Sequence, residues 1–108
     1  MRRFKIKIRG SKDRPRLAVH RTNNHIYIQA IDDKVQKTII GYSTLNLEIQ
    51  KDGPNTDNCE AAYLVGLHFG KKLLENNINS GIFDRRNQRY HGRIKALANG
   101  IRKAGVKI

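Results

Sequence analysis

The run RLAVHRTNNHIYIQAID, residues 16–32, decides the fold. RLAVHR and HIYIQAID alternate apolar with polar residues and are rich in β-branched and aromatic types, the signature of half-buried strands. Thr22-Asn23-Asn24 between them is turn chemistry, because Asn tolerates left-handed backbone angles. The spacing predicts a hairpin. Period two sends Leu17, Val19, Ile26, Ile28 and Ala30 to one face and Arg16, His20, Tyr27 and Gln29 to the other. The first set is core, and the second reads as a contact surface.

Working outward, the charged turn Asp32-Asp33-Lys34 leads to a third strand, KTIIGYST at residues 37–44, giving an antiparallel meander. QKDGPNTDN, residues 50–58, is a loop by composition; Asp57 or Asn58 can cap a helix starting near Cys59, with Glu60 completing a capping box if Asp57 is the cap. That helix is predicted to reach about Asn77. Ala61, Ala62, Val65, Phe69 and Leu73 share one stripe, and Gly66 and Gly70 allow close approach of a neighbour. Leu64, Leu67, Leu74 and Ile78 lie on a second face, so burial on two sides is expected. A helix stop at residues 76–80 precedes a short strand at Gly81-Ile82-Phe83. A second helix follows from about His91 to Ala104, with Ile94, Leu97, Ala98 and Ile101 inward and Gly105 as its stop. A helix between the third and fourth strands implies a crossover, hence an α/β fold: a mixed sheet in β-β-β-α-β-α order with helices packed on it.

Charge is positioned along the chain rather than spread. The formal net charge is +13; residues 1–16 hold eight Lys or Arg against one acid, residues 83–107 hold eight against one, and the stretch between them is close to neutral. Two cationic ends gain free energy by displacing the counterions condensed on a phosphate backbone, so the expected partner is a polyanion, nucleic acid first. At 108 residues the chain can bury one modest core, and we expect a basic arm at 1–14 and a single α/β RNA-binding domain at 15–108. The one cysteine, Cys59, excludes an internal disulfide and has no Cys or His partner at zinc-ligand spacing. No apolar run long enough for a membrane span or a signal peptide is present, which points to a soluble protein of a reducing compartment.

FDRRNQRYHGR, residues 83–93, is the sharpest local signal. Four arginines, a tyrosine and a histidine run through a loop into a helix start, where free N–H groups and the helix dipole already favour an anion. The planar guanidinium pairs with two phosphate oxygens, while Tyr90 or His91 can stack on an unpaired base or bond a ribose hydroxyl. Structured RNA suits this set better than plain duplex DNA.

RPRLAVHRTNNHIYIQAIDD, then EAAYLVG, then FDRRNQRYHGRIKALANGIRKAG resembles the bacterial and plastid type of large-ribosomal-subunit protein eighteen over about residues 9–108. The resemblance implies a ribonuclease H-like fold of the translational-machinery type. It also implies a non-catalytic role: binding 5S rRNA and helping attach it to the large-subunit rRNA in the central protuberance, beside neighbouring ribosomal proteins, in a bacterial cytoplasm or a plastid. By that likeness the RNA contacts are Arg2, Arg3, Lys5, Lys7 and Arg9 in the arm, and Arg14, Arg16, Arg21, Asn23, Asn24, His25 and Tyr27 around the hairpin. Arg85, Tyr90, His91, Gly92 and Arg93 follow in the later loop. The chain departs from the family pattern at His20, where Phe is usual, and at Arg86-Asn87, which replace a Gly-Gly pair and remove backbone freedom. The extra charge of Arg86 and Arg89 is expected to compensate by meeting phosphate. The arm is shorter than is common, which implies fewer phosphate contacts.

Two other classes fit less well. A two-metal nuclease needs several acids converging on ions about 4 Å apart. Asp32 and Asp33 are adjacent, so on a strand they face opposite ways, and Asp84 sits among arginines. No nucleophile elbow is present either. A general DNA-binding protein would account for the charge but not for the Asn, His and Tyr placement, and no helix-turn-helix or finger signature occurs. No cofactor, catalytic residue or metal site is expected.

Overall fold

The computed structural model describes residues 10–22, 25–44, 59–85, 90 and 92–108. The expected arm residues Arg2, Arg3, Lys5, Lys7 and Arg9, the turn residues Asn23 and Asn24, the cap at Asp57 or Asn58, and Arg86, Arg89 and His91 lie outside them.

Six elements follow in the anticipated order: β1 (Arg16–Arg21), β2 (Ile26–Asp32), β3 (Lys37–Ser43), α1 (Cys59–Glu75), β4 (Ile82–Asp84) and α2 (Arg93–Ala104). The sheet order is β3-β2-β1-β4. β1 pairs antiparallel with β2 through partners such as Val19 and Ile28, and parallel with β4 through Leu17 and Phe83. The crossover from β3 through α1 therefore produces the mixed sheet that the strand and helix order requires. Between β2 and β3 the chain turns over residues 33–36, where the Lys34 N–H donates to Asp32 Oδ1 at 3.0 Å, an Asx turn. The register then slips at Ala30/Ile31, which bends this edge of the sheet.

Leu17, Val19, Ile26, Ile28 and Ala30 are all buried, so alternation sorted the hairpin faces correctly. They meet Ala61, Ala62, Val65, Phe69 and Leu73 of α1 and Ile94, Leu97 and Ile101 of α2 in one core. Phe69 is fully buried, and burial of such a side chain is worth roughly 1.5–3 kcal/mol. On the second face of α1, Ile78 beyond the helix end is buried while Leu64, Leu67 and Leu74 are half-buried. Tyr42 of β3 stacks on His68 of α1 at 5.8 Å, with the Lys72 ammonium over the Tyr42 ring.

The two helices pack nearly backbone to backbone. A Cβ at Gly66 would lie 2.1 Å from the Leu97 carbonyl oxygen, and one at Gly100 would lie 2.2 Å from that of Tyr63. Only glycine fits at either place. α1 ends two residues earlier than predicted because Asn77 takes a left-handed angle (φ 63°), with its N–H donating to Leu74 O and that of Ile78 to Leu73 O. α2 ends the same way, on Gly105 at φ 114°, with N–H bonds from Gly105 to Arg102 O and from Val106 to Ile101 O. Residues past α2 then form an isolated parallel bridge with the segment leading into β4: the Gly81 N–H donates to Lys107 O, and that of Lys107 to Asn79 O.

Candidate nucleic-acid interface

The outer face of the hairpin carries His20 opposite Tyr27, as the register dictates. Their ring centroids are 6.0 Å apart and tilted by 39°, and the His25 ring approaches Tyr27 edge-on at 6.4 Å. His25 is placed by the start of β2: its Nδ1 lies 2.8 Å from Thr44 Oγ1, and the same buried hydroxyl accepts the Ile26 N–H at 3.3 Å. The turn is closed by Thr22, whose N–H donates to His25 O and whose Oγ1 accepts the His25 N–H. Three rings thus stand on one face of the sheet, beside exposed Arg21.

The second basic segment arrives at this same turn. Arg93, the first residue of α2, donates from Nη2 to the Thr22 carbonyl oxygen at 3.4 Å across 71 positions of sequence. Its Nη1 is buried and has no hydrogen-bond partner among the described residues. Gly92 precedes the helix with φ 56° and provides no side-chain cap, so first-turn N–H groups remain for solvent or an anion. Tyr90 is 38% exposed, which removes it from the core. Its hydroxyl accepts from Arg102 Nη1 at 2.8 Å, and the Arg85 guanidinium sits 5.9 Å from its ring centroid. Two arginines therefore hold the ring, Arg102 at its hydroxyl and Arg85 over one face, and it stays exposed.

Arg14 is exposed at the turn of residues 11–14, where its carbonyl accepts the Ser11 N–H. Arg16 has a different placement. Its Nε and Nη2 donate to Asp33 Oδ2 and Oδ1 at 2.9 and 3.1 Å, and its Nη1 donates to Asp84 Oδ2 at 3.0 Å. Arg16 was expected to touch RNA, but its guanidinium is occupied by two carboxylates and ties β1 to the ends of β2 and β4. The Asp33 hydrogen bond raises the Arg16 pKa above its usual value against the cost of desolvation, and Asp84 adds to the rise. Asp33 Oδ2 also accepts the Gly10 N–H at 2.7 Å, and the Asp33 N–H donates back to Gly10 O. The root of the basic arm is thereby fixed to the sheet. Two of the three acids weighed for a nuclease, Asp33 and Asp84, are thus held by an arginine, and Asp32 accepts the Lys34 N–H.

The sequence reading therefore placed Tyr27, His25, Arg21, Tyr90 and Arg93 on accessible ground, and the fold joins the hairpin and the YHGR segment at Thr22. It did not single out Thr22, whose carbonyl is the junction. His20 and Gln29 were legible only as members of the outer face.

The whole chain, residues 1–108, matches the family model described as ribosomal L18 of archaea, bacteria, mitochondria and chloroplast. It is 48% identical over 106 residues to the large ribosomal subunit protein uL18 of Thermotoga petrophila, covering 98% of this chain and 87% of that protein. The large ribosomal subunit protein uL18c of Guillardia theta is also 48% identical, over 101 residues and 94% of each chain. The uL18 protein of Prochlorococcus marinus is 46% identical over 107 residues, 98% of this chain and 85% of the relative.

Proposed function

This chain belongs to the L18 family of large-ribosomal-subunit proteins, and we propose that within the ribosome it binds 5S rRNA and helps attach it to the large-subunit rRNA in the central protuberance. As a family member it is a structural, non-catalytic constituent of a ribosome of bacterial or plastid type. The proposal concerns which RNA it holds and with which residues.

The observation that carries it is the bond from Arg93 to Thr22. It merges two basic segments that are distant in sequence into one surface with rings and cations side by side. Arg21, Arg85 and Arg93, together with Arg86 and Arg89 of the loop, neutralise closely spaced phosphates. Tyr27, His25, Tyr90 and His91 test RNA shape by stacking and ribose contacts, and Asn23 and Asn24 offer amides at the turn. Gly92 leaves the helix start open to a phosphate. Residues 1–14 form an arm whose Arg2, Arg3, Lys5, Lys7, Arg9 and Arg14 follow RNA grooves, and residues 15–108 form the domain that aims it. Arg16 contributes by holding that arm's root in place.

Competition binding tests this reading. At moderate salt, 5S rRNA should displace a labelled 5S rRNA from the protein far better than an equal mass of duplex DNA does, and the protein should shield a discrete patch of 5S rRNA from chemical probes. Equal competition by both nucleic acids would overturn it.

A further inference from the structure

The register stacks two cross-strand rows on the outer face of the sheet: His20, Tyr27 and Ser43, then Ala18, Gln29 and Gly41. The first row carries rings, and the second sets one long amide between two small residues. The step between the rows leaves an open cleft of about 430 Å3 lined by Ala18, Val19, His20, Thr22, Tyr27 and Gln29, within the roughly 300–1,000 Å3 typical of small-ligand sites. Because the His20 and Tyr27 rings are tilted and 6.0 Å apart, neither covers the other's face. At the Thr22 end sits Arg93, whose buried Nη1 has no partner among the described residues.

An aromatic wall, an amide that can both donate and accept at an edge, and the Arg93 charge bonded to Thr22 of the lining match the three parts of a nucleotide: base face, base edge and phosphate. An acidic peptide would satisfy Arg93 but leave the rings and the amide unused. Building on the RNA-binding reading above, we infer that this cleft takes one unstacked nucleobase of the bound RNA, stacked against the His20 and Tyr27 rings and read at its edge by Gln29. His20, where an aromatic Phe is usual in the family, keeps the wall aromatic. Ala18 keeps the floor low enough for a base to enter.

The test uses the full chain and 5S rRNA transcribed in vitro, probed with dimethyl sulfate and a carbodiimide, which together report the Watson–Crick edges of all four bases. The parent protein should protect one unpaired base that Ala18→Leu, by filling the floor, returns to full reactivity while the rest of the footprint persists. Affinity should fall about 5- to 150-fold, the range for losing one stacked base. Gln29→Ala, which leaves the floor unchanged, should free the same base edge, and His20→Phe should keep the protection. If Ala18→Leu and Gln29→Ala both bind within about twofold of the parent with an unchanged footprint, the slot is wrong and the 5S reading stands. If the parent protein itself fails to bind 5S rRNA, both are overturned.

Discussion

Replacing Arg16 with Met removes a cation that hydrogen-bonds both Asp33 and Asp84 and puts a neutral side chain in its place. The side chains of Arg16, Asp33 and Asp84 are 24%, 20% and 16% exposed, so solvent reaches the cluster without dissolving it. Removing one partner of a fully buried pair costs about 3–5 kcal/mol, whereas an exposed pair is worth about 1 kcal/mol or less. Discounting for partial exposure gives a loss of about 2–3 kcal/mol. For a domain of this size that corresponds to a fall in Tm of about 8–24 °C. Urea unfolding of the full chain, followed by far-UV circular dichroism, measures the change as a lower midpoint at constant m-value. Adding Asp33→Asn and Asp84→Asn should recover part of the loss, because the two like charges that Arg16 offset are then removed. The salt dependence of RNA binding separates this role from a direct contact, since loss of a phosphate contact lowers the slope by about 0.7–0.9. A clamp leaves the slope unchanged. An Arg16→Met protein within 0.5 kcal/mol of the parent, or as stable as the triple variant, would refute the argument.

Deleting residues 1–9, which hold five Lys or Arg, should lower the salt slope of 5S rRNA binding by up to about 4 if each meets a phosphate; an unchanged slope removes the arm from the interface. Tyr90→Ala should cost about 1–3 kcal/mol of affinity with little change in slope, because stacking is not ionic. Its unfolding midpoint should stay close to the parent's, given that the ring is exposed. Gly100→Ala should destabilise by at least about 1–3 kcal/mol, as the new methyl would meet the Tyr63 carbonyl at 2.2 Å and force the helices apart. Unchanged thermal unfolding would count against the close packing.

Legibility followed sequence distance. Alternation in RLAVHR and HIYIQAID sent Leu17, Val19, Ile26, Ile28 and Ala30 to the buried face because a strand's period is local and only one register buries Val19 and Ile28 together. The stripe through Phe69 and the stop at Gly105 are equally local. The clamp made by Arg16 was not legible because its partners lie 17 and 68 positions away and meet it only once β4 pairs parallel to β1. The same holds for Thr22 and Arg93. Gly66 was recognised as a place of close approach, but the element that approaches, at Leu97, depends on how the two helices cross. Sequence chemistry thus named the candidate contact residues, and topology decided which of them also fasten one strand to another.

The parallel pairing of β1 with β4 also has a bearing on how the polypeptide is made. The meander emerges from a translating ribosome dozens of residues before Ile94, Leu97 and Ile101, which seal its apolar side. Gly81 and Asn79 gain their last backbone bonds only when Lys107 arrives. A nascent product halted before Arg93 carries the His20 and Tyr27 rings yet lacks both that arginine and the Lys107 backbone bonds, so a half-made copy is poorly equipped to compete with finished ones for the same RNA.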